Sequence, residues 1–210
     1  GADVARGGPL VHGLDRLAHE REPTTDGLDE DTALAAILAD ETIRQLAFLS
    51  TTGAFVPVRT VRDPLLLDPN AIVAVGPEQF YVANDSGATN GFTRATELLF
   101  RRGLSQVVYY DGRRMRAVAT GLKSASGIAM SPDGSRLYVS ETSGKSVAVF
   151  ARNAASGDLT LLERIEIGSA PDNINVDADG TAWIAAHAKV LALGRHFGNA
   201  KNLAPTQVFK

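Results

Sequence analysis

Cysteine is absent from all 210 residues, which excludes disulfides, thiolate zinc sites and thiol nucleophiles together without fixing the compartment. A dominant charge is missing too: 21 Lys+Arg stand against 24 Asp+Glu, a net charge of −3. Its basic runs, Arg101-Arg102 among them, are too short to neutralise a phosphate backbone, so a nucleic-acid partner is not expected. No window approaches eighteen consecutive apolar residues, so no membrane-spanning helix is encoded. Gly1 to Pro9 lack a charged segment followed by an apolar one, and no signal peptide is visible there. The first residue is Gly1 rather than Met, which points to removed upstream residues or to a piece of a longer protein. What the chain does have is a hydrophobic share of 44%, enough for a sizeable core in a soluble protein of one large domain or two small ones.

Composition changes near residue 56. Gly1 to Asp31 is polar and rich in turn residues, as in Gly7-Gly8-Pro9 and Pro23-Thr24-Thr25-Asp26-Gly27, and reads as loop. Leu34, Ile37, Leu38 and Leu46 then fall near helical spacing in an Ala-rich stretch, and Asp31 can cap its first turn, so the spacing predicts a helix over 31–46. Residues 1–55 are thus expected to form a divergent N-terminal segment of loop and helix, and 56–210 a separate β unit. Beyond Val56 short β-rich runs recur, among them Ala71–Val75, Gln79–Ala83, Gln106–Tyr110, Leu137–Ser140, Val147–Ala151 and Leu159–Ile165. Asp111-Gly112, Pro132-Asp133-Gly134 and Asp179-Gly180 punctuate them as tight turns. Phe92, Ala95, Leu98 and Leu99 break this grammar and predict a short helix at about 92–102.

A weak repeat lies beneath the strands. Ser126-Gly-Ile-Ala-Met-Ser-Pro-Asp-Gly-Ser-Arg-Leu-Tyr-Val-Ser aligns with Asp172-Asn-Ile-Asn-Val-Asp-Ala-Asp-Gly-Thr-Ala-Trp-Ile-Ala, and Asn70-Ala-Ile-Val-Ala-Val-Gly-Pro-Glu-Gln-Phe-Tyr-Val-Ala is a third copy. The offset of about 46 residues suits propeller blades, so the expected class is all-β, a partial β-propeller with room for about four blades in this chain; an antiparallel sandwich is the alternative. In each copy polar residues precede an Ile: Asn70, Ser126, and the pair Asp172-Asn173. At equivalent points of several blades such residues can converge on one ion near the axis. They are oxygen donors, suited to a hard cation such as calcium and poorly suited to zinc, although Asn-Asp dipeptides such as Asn84-Asp85 are also common turn residues. The histidines, His12, His19, His187 and His196, form no His-Glu-x-x-His motif, and no Gly-x-Ser-x-Gly elbow, phosphate-binding loop or dinucleotide fingerprint stands out.

Four stretches in this order, Asn70 to Asp85, Val107-Val-Tyr-Tyr, Ser126 to Gly134 and Asp172 to Asp177, resemble the paraoxonase/arylesterase family over about residues 59–209. That family groups with the SMP-30-like and strictosidine-synthase-like six-bladed propellers. The resemblance implies calcium-dependent hydrolysis of aryl esters or lactones, with two Ca2+ ions in the central channel. Carried over by motif, Asn84, Asp172 and Asn173 would face the catalytic ion, Ser126 would stand where the family has a third asparagine, and Asp85 would face the structural ion. His12-Gly13-Leu14 is similar to the family's His-Gly-hydrophobe motif, which makes His12 the proposed base and the Leu14 carbonyl a ligand of the structural ion. His187 is similar to a family histidine lining the pocket, and the 92–102 helix to the segment over the channel mouth. No counterpart is found for the family's second dyad histidine or for its early Glu-Asp pair. These departures motivate a rival, a non-catalytic binding or scaffold module with a degraded metal site; a gluconolactonase- or strictosidine-synthase-like enzyme is a further alternative. The shortage of ligands implies feeble turnover, or none, by the 210-residue chain. The oligomeric state is not encoded.

Overall fold

The computed structural model describes the backbone of residues 34–40, 43–50, 56–88, 91–100 and 102–210, and side chains from residue 60 onward except 89–91, 94, 95, 98, 99 and 101. Fourteen described strands form four antiparallel sheets in chain order. The first sheet holds β1 (Leu34–Asp40), β2 (Ile43–Ser50) and β3 (Val56–Arg62). In the second are β4 (Pro69–Ala74), β5 (Phe80–Asn84), β6 (Ser105–Tyr110) and β7 (Met115–Leu122), with helix α1 (Gly91–Phe100) inserted between β5 and β6. The third is built of β8 (Ala125–Met130), β9 (Arg136–Glu141), β10 (Ser146–Arg152) and β11 (Leu159–Glu166). The fourth combines β12 (Ala170–Val176), β13 (Ala182–His187) and β14 (Thr206–Phe209), with α2 (Val190–Gly198) between the last two. Each sheet meanders, and the first strand of each, β1, β4, β8 and β12, lies beside the first strand of the next. This is the inner-strand arrangement of a β-propeller, present here in part.

The core follows from period 2. β5 is buried along its whole length, so its residues sort by parity onto the two faces of the sheet. Phe80 and Val82 join Val108, Tyr110, Met115, Val61 and Leu66 on the side of the first sheet. Tyr81 and Ala83 join Val107, Tyr109, Ile128, Leu137, Val139 and Phe150 on the side of the third. A strand buried on both faces reads as a continuous apolar run, which is why Phe-Tyr-Val-Ala and Val-Val-Tyr-Tyr carry no polar alternation. Tyr81 pairs across the ladder with Tyr109 at 4.7 Å between ring centroids, and Phe80 with Tyr110 at 5.0 Å. Each large side chain so buried contributes roughly 1.5–3 kcal/mol.

The repeat maps onto equivalent positions: Ile72 pairs with Val82, Ile128 with Val139 and Ile174 with Ile184, each linking a first strand to its second. The Asp-Gly turns close two of these hairpins, with Gly134 at φ +69° and Gly180 at φ +86°, a left-handed conformation glycine adopts without a Cβ penalty. The helix expected at 31–46 is corrected: that text forms β1 and β2, antiparallel in a register running from Leu34↔Leu49 to Asp40↔Ile43. Both alternation sets of residues 34–39, Leu/Ala/Leu and Ala/Ile/Ala, are apolar, so period 2 had no contrast to show, and pairing of β2 with both β1 and β3 overrides the helical propensity of Ala and Leu. This sheet draws strands from both sides of residue 55. The second expected helix is found as α1. Among the described residues no helix is long and apolar enough to cross a membrane.

Candidate metal and hydrolytic site

Three first strands carry a register irregularity at the place where the repeat puts its polar residues. The ladder slips between Pro69 and Ala71 in β4, between Ala125 and Ile128 in β8, and between Pro171 and Ile174 in β12. Asn70, Ser126-Gly127 and Asp172-Asn173 are therefore the residues left out of pairing. A bulge frees side chains from strict in/out alternation and re-aims them, as strands do beside functional sites. Gly127 lets β8 and β12 approach there, since a Cβ on it would lie 2.3 Å from the Asp172 carbonyl oxygen and 3.0 Å from Ser140 Oγ.

A hydrogen-bonded line crosses three sheets at this end. Asp85, just after β5, accepts through Oδ1 from Ser124 Oγ at 2.6 Å and from Ser126 Oγ at 3.1 Å. Ser126 Oγ lies 2.6 Å from Thr142 Oγ1, which donates to the Pro171 carbonyl at 2.5 Å, one residue before Asp172. Asp172 Oδ2 is 3.2 Å from His187 Nε2, an ion pair when the imidazole is protonated. Ser105 braces the line from beneath: its buried hydroxyl donates to the Asn84 carbonyl and accepts from Ala125 N–H. On the other side Glu141, fully buried, accepts from Lys123 N–H at 3.0 Å and from Arg164 Nε at 2.8 Å, which fixes the turn entering β8.

The expected residues thus divide. Asp85, Ser126, Asp172 and His187 lie along the line. Asn84 is fully buried, with its amide committed to the preceding loop: Nδ2 donates to the Leu65 carbonyl at 3.0 Å and Oδ1 accepts from Asp68 N–H at 3.1 Å. Asn173 is exposed, and among the described residues its side chain has no hydrogen-bond partner. His12 and Leu14 lie outside the described residues. Sequence reasoning missed Ser124, Thr142, Ser105 and Glu141, serines, a threonine and a strand-end glutamate that no motif distinguishes. It also missed Glu97, buried on α1, which accepts a hydrogen bond from Ser86 directly after Asp85.

The donor chemistry fits a hard cation. Asp85, Asp172, Asn173, Ser126 and the Pro171 carbonyl all offer oxygen, with two carboxylates among them. Ser140 Oγ, Ser143 Oγ and His187 Nδ1 are buried without a hydrogen-bond partner. Among the described residues no three His, Cys, Asp or Glu side chains cluster, so any such ion would depend on amide, hydroxyl and carbonyl oxygens.

A family profile for arylesterases matches residues 34–210. The chain is similar to human serum paraoxonase/arylesterase 1, with 31% identity over 188 residues that cover 87% of this chain and 52% of that protein. It is also 31% identical over 153 residues to human serum paraoxonase/lactonase 3, covering 72% of this chain and 43% of the relative. Among solved structures, regucalcin from Agrobacterium tumefaciens, described as a calcium-binding protein, aligns at a TM-score of 0.48 with 17% identity over 68% of this chain and 47% of that one. The chain spans about half the length of the curated relatives it matches. With its profile match running from the first described strand to the last residue, the chain belongs to the arylesterase family.

Proposed function

We propose that this chain carries the calcium-dependent hydrolytic site of a propeller acting on small aryl esters or lactones. The observation that carries the reading is the coincidence of ladder bulges with oxygen donors on successive first strands. Asp172, Asn173 and Ser126 would hold one Ca2+, and Asp85 a second. Asn84, assigned to the first ion by resemblance, would have to share an oxygen already bonded to Asp68 N–H. Bound there, Ca2+ would supply positive charge to polarise an ester carbonyl.

The chain's own residues set the rest. Family membership makes a small molecule the expected partner. His187 holds Asp172 through Nε2 and has Nδ1 buried away from water, so its part is to orient that carboxylate and line the pocket. Proton abstraction from water falls to His12, the base proposed from the His-Gly-Leu motif. A second reading, a non-catalytic module, draws support from Asn84 and Asp85 having their polar needs met within the protein.

Calcium calorimetry on the full chain separates the two. Saturable binding in the wild type, weakened in Asn173→Ala and with one site lost in Asp172→Ala, supports the metal site. Equal heats in all three proteins exclude it.

A further inference from the structure

The repeat aligns three residues that no motif connects. Val82, Val139 and Ile184 are the equivalent ladder partners of the three isoleucines, and three residues beyond them stand Asp85, Thr142 and His187. Each lies at, or directly after, the end of the second strand of its sheet. Two of the three reach forward to the first strand of the next sheet: Asp85 to Ser126 in β8, at 3.1 Å, and Thr142 to Pro171 in β12, at 2.5 Å. Thr142 is itself anchored in the third sheet, its N–H donating to the Ser124 carbonyl at 2.9 Å. Pro171 is the last residue of β12 in register before the slip: it pairs with Ala186, and pairing resumes at Ile174. The Pro171 carbonyl and the Asp172 N–H belong to one planar peptide, so a bond that fixes this carbonyl fixes the plane from which Asp172 departs. A carbonyl has no proton to give, so the Thr142 proton goes to Pro171, leaving Oγ1 to accept at its 2.6 Å contact with Ser126.

We propose that Thr142 is a positioning residue for Asp172: its hydroxyl sets the plane of the Pro171–Asp172 peptide and so the direction in which the β12 bulge presents the carboxylate. The other holds on the bulge act elsewhere. Gly127 admits β12 closely at the Ile174 nitrogen, beyond Asp172, and His187 Nε2 meets the Asp172 carboxylate itself at 3.2 Å. Thr142 acts on the peptide that enters Asp172, and it does so through the hydroxyl rather than through the bulk of its side chain. Groups that orient a ligating side chain typically contribute about 10–100-fold in metal affinity. The inference rests on the metal reading above, in which Asp172 holds a cation, and names a residue that the family motifs do not assign.

The test compares Thr142→Val, Thr142→Ser and Thr142→Ala with the wild type in the full chain. It measures Ca2+ affinity by calorimetry and thermal stability without added metal, and Asp172→Ala identifies the site concerned as the one it removes. Thr142→Val keeps the shape and loses the hydroxyl, whereas Thr142→Ser keeps the hydroxyl and loses a methyl group, so both should melt within about 4 °C of wild type. At the site that Asp172→Ala removes, Thr142→Val should bind Ca2+ about tenfold or more weakly and Thr142→Ser within about threefold of wild type. Thr142→Ala against Thr142→Ser repeats the hydroxyl comparison without the branched side chain, and alanine should be the weaker binder by about tenfold. Wild-type affinity in Thr142→Val, equal losses in the valine and serine variants, or affinity that tracks melting temperature overturns the inference, while a site lost in Asp172→Ala leaves the metal reading standing. Absence of Ca2+ binding in every protein overturns both.

Discussion

Replacing Gly127 with alanine places one methyl group where two first strands touch. The added Cβ would sit 2.3 Å from the Asp172 carbonyl oxygen, 3.0 Å from the Ile174 nitrogen and 3.0 Å from Ser140 Oγ. Two of these three are backbone atoms of β12, so no side chain can swing aside to relieve them. Ordinary contact needs about 1 Å more room than the carbonyl leaves, and β8 can find it only by moving away from β12. Overpacking of this kind costs typically 1–3 kcal/mol, and the backbone contact puts Gly127→Ala near the top of that range. For a chain of this length about 2–3 kcal/mol corresponds to a fall of roughly 4–12 °C in melting temperature. The displacement also stretches the Ser126–Thr142–Pro171 line, so Ca2+ affinity should fall with stability. Gly194→Ala is the matched control: this glycine lies within α2 with nothing within 4 Å of an added Cβ, so alanine there should stabilise by about 0.5–1 kcal/mol. Differential scanning calorimetry of both variants reads the contrast. Gly127→Ala melting within about 1 °C of wild type would refute the close approach of β8 and β12 on which the site depends.

The third and second sheets are tied through Tyr81, whose hydroxyl donates to the Gly157 carbonyl at 2.9 Å and accepts from Arg152 Nε at 3.2 Å. Burial raises its pKa, so the phenol stays a neutral donor across the working pH range. Tyr81→Phe strands both partners and should cost about 1–2 kcal/mol in urea unfolding; an unchanged midpoint would show that this tie carries no stability. Asp133, in the turn between β8 and β9, accepts from Ser131 Oγ, Ser135 N–H and Ser135 Oγ, which lower its pKa from 3.8 to about 2. Because the folded pKa is depressed, its contribution is complete above about pH 4 and is lost as pH falls toward 2. The destabilisation of Asp133→Ala relative to wild type should therefore shrink over that window, and a gap independent of pH would contradict the assignment.

What the sequence made legible followed from contrast between neighbouring residues. The Ile-turn-aromatic repeat registered because polar turns interrupt apolar strands at a fixed interval, and Ile72, Ile128 and Ile174 do take equivalent ladder positions. β1 was hidden because alanine, leucine and isoleucine fill both parities of the strand, leaving only their helical propensity to read. β7 was obscured differently, since Met115–Leu122 mixes Arg116, Thr120 and Gly121 into a strand bulged at two points. At the site, the donors on the repeat were visible as residue types. Their surroundings were not: the Ser124–Asp85 and Thr142–Pro171 bonds join residues 39 and 29 apart in sequence, and no local pattern encodes a contact of that range. Nor could spacing reveal that Asn84 spends its amide on the Leu65–Asp68 loop.

The most direct test of the account is hydrolysis of phenyl acetate and of a simple lactone by the full chain, measured with excess Ca2+ and with a chelator. Asp172→Ala run in parallel ties turnover to the bulge in β12. The account predicts slow turnover in the wild type that the chelator abolishes and that Asp172→Ala lacks at every Ca2+ concentration. Turnover indifferent to chelation and equal in the variant would contradict it.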